Sequence, residues 1–136
     1  MGMTKFIVFF LISILAFSGC KKTPPDVRDI FTGFYTVGET WTENSKAMSK
    51  PAFSMSVEKA ALNSSMVLLN NFANYGSGTT VEATINEYII TIPQQTLPNL
   101  KVISGTGHTD GLTMTINYKE KFNGTSVDII ATAKRK

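Results

Sequence analysis

The sequence predicts an all-β fold, an eight-stranded antiparallel up-and-down barrel that follows a cleaved signal peptide. Apolar and polar residues alternate with a period of two in short segments, as expected where one face of a strand is buried. These segments are rich in Val, Ile, Thr, Phe and Tyr, and Gly and Asn clusters separate them at intervals of about 10 to 15 residues. Closing such a meander into a barrel removes the exposed sheet edges.

Eight segments carry the strand pattern. They are residues 31–43, 52–58, 65–71, 81–85, 88–92, 100–104, 112–118 and 127–133. One stretch, 57–69, also contains good helix formers at Glu58–Leu62, and a helix is the alternative there. The strict alternation before it and the turn residues Asn63-Ser64 favour a hairpin.

The alternation also predicts which side chains point into the barrel. The predicted inward set is Val81, Ile85, Ile90, Ile92, Leu112, Met114, Ile116, Val127 and Ile129. Glu82, Thr84 and Thr113 are predicted to face outward. Cys20 is the only cysteine, so no internal disulfide can form and apolar burial must stabilise the domain.

The first twenty residues have the order of a secretory signal. Lys5 ends a short basic start, residues 6–17 form a continuous apolar run, and Ser18-Gly19 supplies small residues before Cys20. As a helix this apolar run would span about 18 Å, less than a hydrocarbon core of ~30 Å. A permanent transmembrane helix is therefore disfavoured.

Residues Phe17-Ser18-Gly19-Cys20 resemble the bacterial lipobox. The resemblance implies that the Cys20 thiol receives a diacylglycerol and that the peptide bond before it is cleaved. An ordinary signal peptide with a chance cysteine is the alternative, but one unpaired thiol at this boundary is better explained by acylation. We therefore expect a lipoprotein signal peptide at 1–19, a lipid anchor and linker at 20–30, and one barrel domain at 31–136.

The distribution of charge argues against a nucleic-acid partner. The sequence pI is about 9.0, but Lys21, Lys22 and Lys134–Lys136 sit at the two ends of the mature chain. Between residues 26 and 133 the chain has a net charge of −3, from seven Lys or Arg and ten Asp or Glu. Basic residues beside a lipid anchor are attracted to anionic lipid headgroups, and each Lys or Arg near the surface contributes about 1 kcal/mol to this attraction. We expect a cell-envelope location, lipid-anchored at the outer membrane and facing the periplasm or the surface.

Residues 31–133 look like the lipocalin-type (calycin) barrels in their strand pattern. The lipocalin signature is Gly-x-Trp, and this sequence has Gly33-Phe34-Tyr35. Ile92-Pro93-Gln94-Gln95, followed by Ile103–Gly107, is similar to small lipobox proteins with a lipocalin-like domain. The resemblance implies a barrel fold and assigns no activity.

Strand parity predicts where binding loops lie. With eight up-and-down strands, the two basic chain termini lie at the same end of the barrel. The connections at 59–64, 86–87 and 108–111 lie at that end as well. The connections at 42–51, 72–79 and 93–99, with the short 122–124, lie at the opposite end, and long loops at one end of a barrel commonly build binding sites. The candidate binding-loop residues are Trp41, Met48, Phe72, Tyr75, Gln94 and Gln95.

No residue pattern indicates an enzyme, a metal site or a cofactor. His108 is the only histidine and is predicted to lie in a turn at 107–111, so a paired-histidine or paired-cysteine zinc site is impossible. We expect a non-enzymatic binding or accessory module for an envelope protein partner. Alternatives are an inhibitor of a secreted hydrolase and a carrier of a small apolar ligand.

Overall fold

The computed structural model describes residues 19, 20 and 22–136, and it confirms the predicted all-β barrel. Within these residues there are two short 3-10 helices, Val27–Ile30 and Phe72–Asn74. The strands are β1 (Gly33–Glu43), β2 (Lys46–Ser49), β3 (Phe53–Lys59), β4 (Met66–Asn70), β5 (Thr80–Asn86), β6 (Ile89–Thr96), β7 (Val102–Thr109), β8 (Thr113–Phe122) and β9 (Thr125–Arg135). All neighbours are antiparallel, and β1 pairs with β9 to close the barrel.

One strand, β2, lies inside the connection predicted at 42–51. It pairs with Thr40–Glu43, on the same edge of β1 along which β3 pairs with Gly33–Val37. β2 and β3 are thus two halves of one returning strand, broken at Lys50–Ala52, where Pro51 has no N–H to donate. The backbone N–H of Lys50 still donates to Glu39 O at 3.2 Å. Because β2 and β3 together occupy one strand position, the barrel wall still has eight strand positions.

The helix alternative at 57–69 is wrong, and the hairpin is confirmed. β3 and β4 pair with Ser56 opposite Asn70 and Lys59 opposite Val67, and residues 60–65 connect them. The alternating side chains of both strands bury Val57 and Leu69 in the barrel, which the helix formers of Glu58–Leu62 cannot outweigh.

The barrel interior is filled by side chains. Seven of the predicted inward residues are buried (Val81, Ile85, Ile90, Ile92, Met114, Ile116 and Ile129), and Val127 is half-buried against them. Glu82 and Thr84 are exposed as predicted, and Thr113 is half-buried. The prediction for Leu112 is wrong, because its side chain is 72% exposed. It precedes β8, in a turn where the Asp110 carboxylate accepts from the Leu112 and Thr113 N–H groups at 2.8 and 2.7 Å.

Two inward glycines allow β7 and β8 to approach closely. A Cβ added to Gly105 would lie 2.6 Å from the Tyr118 Cβ, and one added to Gly107 would overlap the Thr115 carbonyl oxygen. Larger residues at either position would push the two strands apart, so the close approach of β7 and β8 requires glycine there.

The two chain ends lie at the same end of the barrel, as strand parity predicts. Tyr35 pairs with Arg135, and the Lys136 N–H donates to Phe34 O at 2.9 Å. We call this the proximal end, where β1 begins and β9 ends, and the opposite one the distal end. The predicted signal residues 1–18 and Lys21 lie outside the described residues. The part of the chain that the structure describes contains no helix with the length and hydrophobicity of a membrane-spanning helix.

Candidate functional site

A buried polar cluster lies under the distal loops. Glu39 follows Tyr35 and Val37 on the inward face of β1, and it is 2% exposed. The Tyr118 hydroxyl donates to Glu39 Oε1 at 2.8 Å, and Lys50 Nζ lies 2.9 Å from Oε2 as an ion pair. Burial, together with the negative charge of Glu39, raises the pKa of Tyr118 far above its ordinary value. Tyr118 therefore keeps its proton and is the donor in its hydrogen bond to Glu39.

A second ion pair continues the cluster across the barrel mouth. Lys101 Nζ donates to Glu120 Oε1 at 2.8 Å, and it lies 4.7 Å from the centre of the Tyr75 ring. Lys50 Nζ lies 5.5 Å from the same ring centre and donates to the Ala73 carbonyl at 3.0 Å. The two ammonium groups thus hold the 71–79 loop over the core through cation–π contacts and a hydrogen bond.

The cluster closes the distal end of the barrel. Burial raises the pKa of Glu120 and lowers the pKa of Lys101, as expected for charges withdrawn from water. The two carboxylates and two ammonium groups balance in charge, and each carboxylate contacts an ammonium group. A buried charge pair of this kind fixes one arrangement of the loops, because any other leaves a charge without its partner.

A cleft opens beside this closure, between two hairpin tips. Pairing of β1 with β9 ends at Trp41 opposite Ile129, and the β1–β2 tip then separates from the β8–β9 tip. Among the described residues, the β9 segment Thr125–Asp128 pairs with β8 alone, which leaves its other backbone edge free. The cleft has a volume of about 730 Å³. Its lining includes Trp41, Thr42, Glu43, Thr125, Asp128 and Ile130. This free edge and the half-buried indole give the cleft both hydrogen-bonding groups and an aromatic surface.

The structure places three of the predicted binding-loop residues near the cleft and cluster. Trp41 lies in β1, lines the cleft and packs against the core, while Met48 lies opposite it in β2 rather than in a loop. Tyr75 lies in the 71–79 loop between the two lysines. Their roles in binding stay predictions.

The other three candidates, Phe72, Gln94 and Gln95, lie in the core or in β6. Phe72 is 1% exposed and packs edge-on against Tyr118, with ring centres 4.8 Å apart. Gln94 and Gln95 lie in β6, at a β-bulge, and not in a loop. The Gln95 amide donates to Glu82 O at 2.9 Å and accepts from Glu82 N at 3.1 Å, replacing backbone pairs that β6 no longer makes there. The loop prediction for these two residues is therefore wrong.

Cys20 and His108 are the remaining residues of interest. Cys20 is exposed at the start of the described chain. His108 is exposed within β7, opposite Ile89, so its predicted place in a turn is wrong. No group of three or more His, Cys, Asp or Glu side chains among residues 19, 20 and 22–136 is placed to hold a metal ion.

Comparison with known proteins relates the chain to others through its fold. No protein-family model matches the chain, and no curated protein matches it. Its fold is similar to the crystal structure of a "putative outer membrane protein" from Bacteroides fragilis NCTC 9343, with a TM-score of 0.50 and 16% sequence identity. The similarity covers 82% of this chain and 53% of that one, so this chain spans about half of its length.

Proposed function

We propose that this chain is a cell-envelope lipoprotein, acylated at Cys20, whose lipocalin-like barrel is a non-enzymatic module that binds an extended segment of a protein partner. The observation that carries the proposal is the distal cleft, which presents an unpaired strand edge beside an aromatic side chain. A free edge can add a strand from another chain through main-chain hydrogen bonds.

Several observations support the lipid anchor. Cys20 is the only cysteine of the chain, it is exposed, and it follows residues that resemble a lipobox. The Pro24-Pro25 linker connects it to the proximal end, which leaves the distal end free to face a partner. The fold is similar to that of a protein described as a putative outer membrane protein, which agrees with an outer-membrane location.

The packing of the interior favours a surface partner over a carried apolar ligand. Large inward side chains such as Tyr35, Leu69, Ile103 and Met114 are fully buried. The interior of an eight-stranded barrel is wide enough either to be filled by its own side chains or to hold one small ligand. Because here the side chains fill it, a carrier role would require the core to unpack.

An inhibitor of a secreted hydrolase is the second candidate function. The observation that favours it is the β1–β2 tip, where Asn44 and Ser45 form a tight turn with φ of 48° and 62° and every residue of β2 is exposed. A rigid projecting hairpin fits an enzyme cleft at a low entropic cost. Loss of inhibition on changing the hairpin tip, with the cleft residues intact, would favour this candidate.

The anchor is tested by the intact mass of protein extracted from membranes. We expect a chain that begins at an acylated Cys20, and we expect Cys20→Ser to give an unprocessed or soluble form. A mature chain that begins elsewhere and carries a free thiol contradicts the anchor.

The cleft is tested by photo-crosslinking in intact cells. A photoreactive amino acid at Thr125, in the cleft, should give a discrete adduct with one envelope protein. The same amino acid at Thr84, exposed on the β5 wall, is the matched control. Trp41→Ala should reduce the Thr125 adduct. Equal adducts at both positions, or none at Thr125, would refute the cleft as the binding site.

A further inference from the structure

The exposed apolar side chains are concentrated at the proximal end. Among the described residues, ten large apolar side chains are exposed, and six of them lie at this end. The six are Val27, Phe34, Leu62, Tyr88, Ile89 and Leu112. The distal end has Met48, Leu100 and Phe122, while Ile130 lies on the outer wall. We call the six residues the apolar rim.

The residues of the apolar rim lie on neighbouring segments around the chain ends. The Arg135 N–H donates to Leu112 O at 2.9 Å, and the Lys136 N–H to Phe34 O at 2.9 Å, so Leu112 and Phe34 flank the last strand. Across the barrel end, Tyr88 O accepts from Thr109 N at 3.0 Å.

The first 3-10 helix joins the remaining parts of the rim. Arg28 Nη1 donates to Asn63 O at 2.8 Å, which ties the helix carrying Val27 to the loop carrying Leu62. Val27 and Tyr88 line one pocket of about 500 Å³ between this helix and the β5–β6 turn. The side chains therefore surround the end of the barrel rather than occupy scattered sites.

Several of the charges at this end form ion pairs. Lys59 contacts both Asp26 and Asp29, and Arg28 contacts Asp26 with 2.7 Å between Nη2 and Oδ2. The basic residues Lys134–Lys136 end the chain, and the exposed acids Glu87 and Asp110 lie in turns at the same end of the barrel. With cations and carboxylates both present, apolar contact is the main attraction that this face offers.

We propose that the apolar rim inserts into the interfacial layer of the lipid bilayer that holds Cys20, so that the barrel stands with its distal cleft away from the membrane. This inference rests on the proposed function, because the anchor brings the rim to the bilayer. From Cys20 to Asp26 an extended chain reaches at most about 20 Å, so an acylated Cys20 keeps the proximal end within that distance of the lipid surface. The exposed aromatic residues Phe34 and Tyr88 suit the headgroup region.

The first test measures the depth of single tryptophans in the acylated protein, reconstituted into phosphatidylcholine vesicles that contain lipids brominated in their acyl chains. Trp41 is the only tryptophan of the natural chain and lies at the distal end, so the unchanged protein is the control. The rim reporter is Leu112→Trp combined with Trp41→Phe. We expect the rim reporter to be quenched and shifted to the blue, while Trp41 is not quenched.

The second test measures transfer of the acylated protein between vesicles. Each rim side chain buried in the interface should slow desorption about three- to tenfold, so Phe34→Ser and Leu112→Ser should each accelerate transfer by that factor. Leu100→Ser, which removes a comparably exposed leucine at the distal end, should leave the rate unchanged.

The outcomes separate this inference from the proposed function. An acylated protein whose rim reporter is not quenched, or whose Trp41 is quenched equally, overturns the rim insertion and leaves the anchor intact. The rim insertion is also overturned if the rim reporter is not quenched and the protein instead self-associates in a way that Phe34→Ser and Leu112→Ser abolish. If the isolated protein carries no acyl group, the proposed anchor fails. In that case, the non-acylated protein is tested for binding to the same vesicles. Binding that is weakened by Phe34→Ser and unchanged by Leu100→Ser would still support insertion of the rim, whereas an absence of binding would overturn it.

Discussion

Replacing Glu39 by alanine should destabilise the barrel more than any other single change of a charged residue. The carboxylate is 2% exposed and is the acceptor of the Tyr118 hydroxyl at 2.8 Å, as well as the partner of Lys50 at 2.9 Å. The change removes both contacts and leaves the Tyr118 hydroxyl buried without an acceptor.

The magnitude follows from what each partner does after the change. Removing one member of a buried ion pair costs about 3–5 kcal/mol, and a buried hydroxyl without a partner costs about 1–3 kcal/mol. In the variant, Lys50 keeps its hydrogen bond to the Ala73 carbonyl oxygen. Because its side chain is 31% exposed, its ammonium group can also be hydrated. We therefore expect a loss near the lower limit, about 3 kcal/mol. Glu39→Gln keeps an acceptor for Tyr118 and should cost about 1–2 kcal/mol.

Urea unfolding monitored by circular dichroism measures these free energies. Glu82→Ala, which removes an exposed carboxylate from β5, is the matched control and should change stability by less than about 0.5 kcal/mol. The double change Glu39→Ala with Tyr118→Phe should cost less than the sum of the single changes, since it removes the hydroxyl that lacks an acceptor. If Glu39→Ala unfolds like Glu82→Ala, or the double change is additive, the cluster does not stabilise the fold.

Three further perturbations test the core, the wall and the linker. Ile116→Ala should lower the free energy of unfolding by about 2–5 kcal/mol, and Thr84→Ala on the outer face should leave it nearly unchanged; the reverse order would mean that the register is wrong by one residue. Gly107→Ala should destabilise by about 1–3 kcal/mol or more, because its Cβ would overlap backbone of β8, and a melting temperature equal to that of the unchanged protein would contradict this close approach. A side-chain hydrogen bond from Arg28 holds the pKa of Asp26 well below its ordinary value, so its contribution is present at pH 7 and is lost as the pH falls below about 4. The difference in melting temperature between Asp26→Asn and the unchanged protein should therefore shrink on acidification, and a difference independent of pH would contradict the ion pair.

The period of two predicted the barrel wall well where strands are regular. Residues 81–85 alternate strictly and their burial follows the sequence, because a half-buried strand must place successive side chains on opposite faces. The pattern failed at Leu112, where a hydrogen-bonded turn delays the start of β8 by one residue. It also failed at Gln94 and Gln95, because a prolyl residue in a strand resembles a loop in sequence, whereas here a bulge accommodates it.

The candidate site was less predictable than the fold. Glu39 stands at an inward position of β1, two residues after Val37, and this parity was the signal that could have identified it. Its partners could not be inferred from the sequence, since Lys50 and Tyr118 are brought to it by pairing across the sheet and across the barrel. The cleft was also hidden, because an unpaired edge is a property of where two hairpins separate and not of the residues in either.

The strand break, the buried ion pair and the hairpin that forms one wall of the cleft meet at Lys50. Pro51 interrupts the strand that returns from the β1–β2 tip, and at this break Lys50 turns its ammonium group inward to Glu39 while its N–H still bonds to Glu39 O. Beyond Trp41 the tip no longer pairs with β9, and the cleft lies between them, while Lys50 holds the base of the tip. Because one side chain both satisfies a buried charge and fixes the hairpin, the position of the cleft wall is linked to the stability of the core. A partner that binds the cleft in this one position should therefore bind more weakly to any variant that releases Lys50, even though Lys50 does not line the cleft.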